Sequence, residues 1–169
     1  MTLDEIRPNG QTVNVCGYYR KSSFLADRYI KPEIWAARCN DIVKQHQNWC
    51  FVTMYSDADK RQSSFLEMMK MCEQGKYDLI LVPSITVLSD FWLDRVHYTK
   101  RLREMNPPIG IFYVYNELFS LKDDWKAELS LLSLLADIES EYKSRIKHDD
   151  RLYKCKVISP HLGRIDING

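Results

Sequence analysis

Tyr77-Asp78-Leu79-Ile80-Leu81-Val82 is the stretch on which the reading of the fold turns. Four consecutive apolar residues with no polar alternate belong to a strand covered on both faces, the habit of parallel sheets flanked by helices. Just upstream, Ser64 to Gln74 places Phe65, Met68, Met69 and Cys72 on one helical face and stops at Gly75. Cys50 to Tyr55 reads as a strand before that helix. Pro32 to Gln47 reads as a helix with Ile34, Trp35, Ala37, Cys39, Ile42 and Val43 at helical spacing behind a first-turn proline, and Thr12 to Tyr19 as the opening strand. Downstream, Asp90 to Met105 is a helix broken by Pro107 and Pro108, and Ile109 to Tyr115 a further continuously apolar strand. The alternation predicts an α/β sandwich of three layers: a mostly parallel, four- to five-stranded sheet with helices on both faces.

The last third of the chain departs from this rhythm. From Asp123 to about Cys155 neither glycine nor proline interrupts, which predicts one helix of about thirty residues where eleven or twelve is usual. Its first half is apolar almost all round (Leu129, Leu131, Leu132, Leu134, Leu135, Ala136, Ile138), more than packing on one sheet requires. In its second half Lys143, Arg145, Lys147, Arg151, Lys154 and Lys156 stand against Glu141, Asp149 and Asp150, a balance of +3. Two readings follow: a solvated helix end with a favourable dipole, or an apolar dimerisation stretch leading into a basic arm for phosphates. The expected organisation is a core over 1–122, the long helix over 123–156 and a tail or linker over 157–169.

Composition narrows the classes. With 169 residues, 45% hydrophobic and 28% charged, the chain is expected to fold as an ordinary globular domain, and disorder and rod-like architectures are excluded. No apolar run approaches the roughly 20 residues of a membrane helix, and the first residues lack a secretory pattern, so a cytoplasmic protein without a membrane partner is expected. Lys plus Arg number 24 against 23 Asp plus Glu, so overall charge does not signal nucleic acid and any such role rests on local clustering. Cys16, Cys39, Cys50, Cys72 and Cys155 form no C-x-x-C pair and are expected to be buried reduced thiols. The histidines, at 46, 97, 148 and 161, have no ligand-like spacing and are expected to be surface or packing residues; the tryptophans and Met68, Met69 and Met71 are expected in the core. No metal site is expected.

In a doubly wound sheet, ligands bind at the carboxyl ends of the strands. After the first strand comes Gly17-Tyr18-Tyr19-Arg20-Lys21-Ser22-Ser23, hydroxyls beside two cations. A neighbouring guanidinium both favours a serine alkoxide and grips a phosphate oxygen pair, although a polar loop of this kind also follows many strands without function. After the second strand, Asp57 to Ser64 admits three readings: aspartate metal ligands, phosphate contacts from Lys60 and Arg61, or a helix cap from Ser63 or Ser64, the cap being the plainest. No glycine-rich phosphate loop follows any strand, which excludes dinucleotide and P-loop cofactors.

The order of these pieces resembles the catalytic domain of serine recombinases, the resolvase and invertase family. Tyr18-Tyr19-Arg20-Lys21-Ser22-Ser23 is similar to the family's Y-x-R-V-S-T, Tyr55-Ser56-Asp57 to its Y-x-D, and Phe65-Leu66-Glu67-Met68-Met69 to its F-x-x-M-L helix. Gly75 to Val82 resembles G-x-x-D-x-I-x-V, Ser84-Ile85 opens S-I-x-R-L-x-R, Glu117 falls on a glutamate after the fourth strand, and Ala136 to Glu141 resembles the start of the interface helix. Taken together they cover about Val13 to Lys156. The resemblance implies a resolvase-like fold and a site-specific DNA recombinase associated with DNA integration or a mobile element. It implies Ser22 as the nucleophile that forms a phosphoserine link to DNA, Arg20 beside it, Tyr18 in the same motif and no cofactor. It also implies pairing into dimers or tetramers through Leu131, Leu132, Leu135 and Ile138, with Lys143, Arg145, Lys147 and Arg151 as a DNA arm.

Four positions depart from that pattern. Val87 and Asp90 stand where the family has two active-site arginines, and Thr86 where many members have aspartate. The arginine before the second helix falls on Gln62, with Arg61 next to it as a substitute phosphate contact. Losing one such donor costs about a hundredfold or more in rate, so activity is expected to be weakened or lost. The chain would then partner an active recombinase, or, in the alternative reading, serve as a catalytically inactive α/β interaction module. Arg95, Arg101 and Arg103 are not expected to reach back to the site.

Overall fold

The computed structural model describes residues 1–2, 5–7, 10–21, 31–57 and 62–158, with side chains through residue 147. It divides into two compact units, Met1–Leu134 and Leu135–Gly169.

The first unit is built on five strands, β1 (Val13–Arg20), β2 (Trp49–Asp57), β3 (Leu79–Val82), β4 (Gly110–Tyr113) and β5 (Leu118–Phe119), in the order β2-β1-β3-β4-β5. The first four run parallel and β5 is antiparallel to β4. Helices α1 (Pro32–Val43), α2 (Ser63–Glu73), α3 (Ile85–Leu88) and α4 (Trp92–Arg103) connect them, and α5 (Trp125–Ile158) follows. This is the mostly parallel α/β sandwich with a long C-terminal helix expected from the sequence. Among the described residues no helix is long and apolar enough to cross a membrane.

Strand periodicity explains the two layers of core. Val13, Val15 and Tyr19 share one face of β1 with Leu79 and Leu81 and pack with Trp35, Cys39, Ile42 and Val43 of α1. Tyr18 lies on the other face, its ring 5.3 Å from Phe65 of α2, which in turn meets Tyr98 of α4 at 4.7 Å. Every residue of β3 is buried, as its unbroken apolar run requires. Gly110 lets β4 approach β5: a Cβ there would stand 2.7 Å from Cε2 of Phe119.

Four elements differ from expectation, each for a local reason. The helix expected over 90–105 is preceded by the separate four-residue α3, because Ser89 and Phe91 adopt extended backbone and part the two. Helix α1 ends at Val43 instead of Gln47, and a turn leads to His46, which stacks on Trp49 with ring centroids 3.8 Å apart. The expected cap from Ser63 or Ser64 is not formed: Gln62 holds the capping position with φ 52°, and the carboxylate of Asp57 accepts from the amides of Ser64 and Phe65 at 2.8 and 3.0 Å. Asp59 and Lys60, on which the metal and phosphate readings of this loop also rest, lie outside the described residues. Cys16, Cys39 and Cys72 are buried as expected, but Cys50 is exposed, on the face of β2 that it shares with the exposed Val52; Cys155 is outside the described side chains. Among the tryptophans, Trp35, Trp49 and Trp125 are buried and Trp92 is not.

Helix α5 spans both units. Trp125, Leu129 and Ser133 are buried, whereas Leu131, Leu134, Leu135, Ile138, Tyr142 and Ile146 are exposed and Leu132 is half-buried. Lys143 and Arg145 form i,i+4 ion pairs with Glu139 and Glu141. This pairing satisfies the two cations within the helix, as the solvated-end reading expects. The side chain of Arg151 and the tail over 159–169 lie outside the described residues.

Candidate active site

Arg20 closes the carboxyl end of β1, the strand that lies between β2 and β3 in the sheet. Its backbone is in register with Asp57 of β2, and the amide of the next residue, Lys21, donates to the Asp57 carbonyl. Ser22 and Ser23 follow immediately in the chain and lie outside the described residues, as does Arg61.

The side chain of Arg20 is almost wholly buried and its donors are assigned in two directions. Nε donates to the carbonyl of Val87 and Nη2 to that of Thr86, both at 3.1 Å, so two buried carbonyls of α3 hold the cation. Nη1 and Nη2 also donate to Asp90, to Oδ2 at 3.1 Å and Oδ1 at 3.0 Å, a two-toothed ion pair. The Asp90 carboxylate therefore neutralises the Arg20 guanidinium.

The segment that carries Asp90 is anchored from below. Arg95, fully buried in α4, donates from Nε to the Ser89 carbonyl at 2.8 Å and from Nη2 to the Asp90 carbonyl at 2.9 Å. Ser89 Oγ donates to Asp94 at 3.0 Å and accepts from the amide of Phe91 at 3.1 Å. Arg95 thus spends these bonds on backbone oxygens beneath the site and has no exposed surface. Next to this segment Phe91, Trp92 and Leu93 are all exposed.

The other expected site residues divide by burial. Val87 is fully buried, so its side chain belongs to the core and not to the crevice. Thr86 is buried and its hydroxyl lies 2.8 Å from that of Ser84. Tyr18 is fully buried and its phenol donates to Asp57 Oδ2 at 3.0 Å; burial first, and then the Asp57 carboxylate, push it well above the usual phenol range. It therefore stands under the site as a support. Gln62 sits in a left-handed conformation at the entry to α2, and Glu117 is likewise left-handed and exposed beyond β4.

Sequence reasoning placed Arg20 and singled out Asp90 as an acid where the family has a base, without joining the two. Opposite charges at two aligned site positions were the available signal. The roles of Arg95 and Ser89 had no such signal, since both act through backbone contacts.

No protein-family model matches the sequence, and no curated protein matches it. Solved structures do. The chain is similar to the N-terminal catalytic domain of TP901-1 integrase at 18% identity and a TM-score of 0.58, over 77% of this chain and 98% of that one. It is similar to a resolvase family site-specific recombinase from Streptococcus pneumoniae at 21% identity and a TM-score of 0.58, over 86% of this chain and 99% of that one. The fold is that of a serine recombinase catalytic domain, as the sequence resemblance implied.

Proposed function

We propose that this chain, folded as a serine recombinase catalytic domain, is a DNA recombinase of the serine type with weakened strand-cleaving activity. The supporting observation is the placement of Arg20: a buried guanidinium at the carboxyl end of β1, two residues before Ser22, where the topology puts a ligand. In the proposed step the Ser22 oxygen bonds to phosphorus while a phosphorus–sugar oxygen bond breaks. The serine gives up its proton, the departing sugar oxygen takes one, and the strand is held as a phosphoserine. Rejoining is the reverse attack by a sugar hydroxyl, so neither metal nor cofactor enters the balance. Positive charge against the phosphate drives such chemistry, and here the only described guanidinium two residues from the serine is shared with Asp90.

The partners in this reading are DNA and further copies of the chain, a homodimer or tetramer, or a heteromer with an active recombinase. The exposed Leu131, Leu135 and Ile138 with Leu132 are the pairing surface, and Lys143, Arg145, Lys147 and Arg151 the DNA arm. The cytoplasm and association with a mobile element or DNA integration belong to the same reading. A second reading, an interaction module without catalysis, is favoured by the Arg20–Asp90 pair itself, which balances the Arg20 guanidinium without any phosphate.

Covalent capture separates the two. Protein and host DNA are mixed and denatured, and the DNA that remains attached is sequenced. An adduct that disappears in Ser22→Ala supports the recombinase; an adduct equally strong in that variant, or none at all, overturns it.

A further inference from the structure

The Arg20–Asp90 pair has the form of a ligand site filled from within. A carboxylate presents two oxygens to a guanidinium in the same parallel arrangement as two non-bridging oxygens of a phosphate. The Asp90 oxygens, 3.0 and 3.1 Å from Nη2 and Nη1, hold that arrangement. The accessibility of the partners is unequal: the Arg20 side chain is 6% exposed and that of Asp90 35%. The carboxylate is therefore the solvent-side member and covers the guanidinium, so an anion arriving from solvent meets Asp90 first.

Position and release are handled by different atoms. Arg95 fixes Asp90 through its carbonyl, and Ser89 is held by Arg95, Asp94 and the Phe91 amide. None of these bonds uses the Asp90 carboxylate. Rotation about the Asp90 side chain would part it from Arg20 without breaking these backbone anchors, and Arg20 would keep its bonds to the Val87 and Thr86 carbonyls.

We propose that Asp90 is a built-in competitor for phosphate: Arg20 forms a latent oxoanion site whose ligand is a phosphodiester of DNA, and the Asp90 carboxylate keeps it closed until displaced. This deepens the recombinase reading and rests on it for the identity of the ligand, but the site itself is testable without DNA cleavage. It turns the weakened activity into a regulated one, set by competition between an internal carboxylate and an external phosphate for one guanidinium.

The experiment uses the full chain and its Asp90→Ala and Asp90→Ser variants, the second retaining a hydroxyl near Arg20. Each is titrated with inorganic phosphate against chloride at matched ionic strength, followed by calorimetry and thermal unfolding. The expected result is phosphate binding at least tenfold tighter in a residue-90 variant than in the unaltered chain, with a phosphate-dependent rise in Tm. Adding Arg20→Gln should remove both. No gain in either variant, or a gain that survives Arg20→Gln, overturns the proposal. A short DNA duplex is the second arm: tightening that parallels phosphate and depends on Arg20 supports the diester as ligand, and phosphate binding with unchanged duplex affinity overturns it. Because these readings do not involve Ser22, a failed covalent capture leaves them intact, and their failure leaves the capture result standing.

Discussion

Tyr18 and Asp57 are joined by a buried hydrogen bond, the phenol donating to Oδ2 over 3.0 Å, and the same carboxylate closes the first turn of α2 through the amides of Ser64 and Phe65. One side chain thus ties β1, β2 and α2 together under the site. A charged acceptor at a helix N-terminus is worth more than a neutral cap, because the amides and the helix dipole act together. Asp57→Ala should cost about 2–4 kcal/mol, since it leaves two amides and a buried phenol without their acceptor. Tyr18→Phe should cost only about 1 kcal/mol. Urea unfolding of the two variants checks the order; equal losses would show that the cap carries no weight of its own.

The position of Val87 gives a second prediction. Its side chain is 0% exposed, so Val87→Arg, which introduces the arginine that the resemblance implies there, places an unpaired guanidinium in the core. The expected loss is about 3 kcal/mol or more, seen as poor expression or a collapse of the unfolding midpoint. Rearming the site through residue 87 is therefore closed by packing, whereas Asp90 at the crevice can be changed. A Val87→Arg protein as stable as the parent would mean that α3 can turn this side chain outward.

How far the chain was legible follows from the range of each signal. Leu79 to Val82 declared itself because burial on both faces leaves a continuous apolar run, and the proline before α1 and glycine after α2 marked their helices locally. β5 and α3, at two and four residues, are too short to show a period. Cys50 misled because the face of β2 that it shares with Val52 lies open to water, which its apolar neighbours do not reveal. Asp57 escaped the capping rule because it reaches in from seven and eight residues upstream, while the rule inspects the residue beside the helix. Arg20 and Asp90 are 70 positions apart, so their pairing became visible only through the topology that places β1 next to β3.

Alkaline pH should destabilise the fold through its buried thiols. Burial pushes Cys39 and Cys72 from an ordinary 9.0 up to about 12. In the unfolded chain both ionise above 9.0, while in the folded chain they stay protonated until about 12. The contribution is thus complete below pH 9 and is lost as pH rises toward 12, at about 1.4 kcal/mol per pH unit for each thiol. Unfolding free energy measured from pH 8 to 11 should fall accordingly, and Cys72→Ala should fall less steeply than the parent. Parallel slopes would remove Cys72 from the account. Under native conditions a thiol reagent should label Cys50 rapidly and Cys16, Cys39 and Cys72 only after unfolding.

The apolar stripe of α5 separates folding from assembly. Leu131 and Leu135 lie four residues apart on one helical face and are 59% and 53% exposed, whereas Leu129 is fully buried. Charges at exposed positions touch no core, so Leu131→Asp with Leu135→Asp should change stability by about 0.5 kcal/mol or less per site. If the stripe is the pairing surface, the same double variant should sediment as a monomer under conditions where the parent is a dimer or tetramer, because an apolar interface rejects uncompensated carboxylates. Leu129→Asp should instead unfold the first unit, since it buries the charge within one chain. A double variant that keeps the parent's assembly state would move the interface away from α5, and one that unfolds like Leu129→Asp would show that the stripe packs within its own chain.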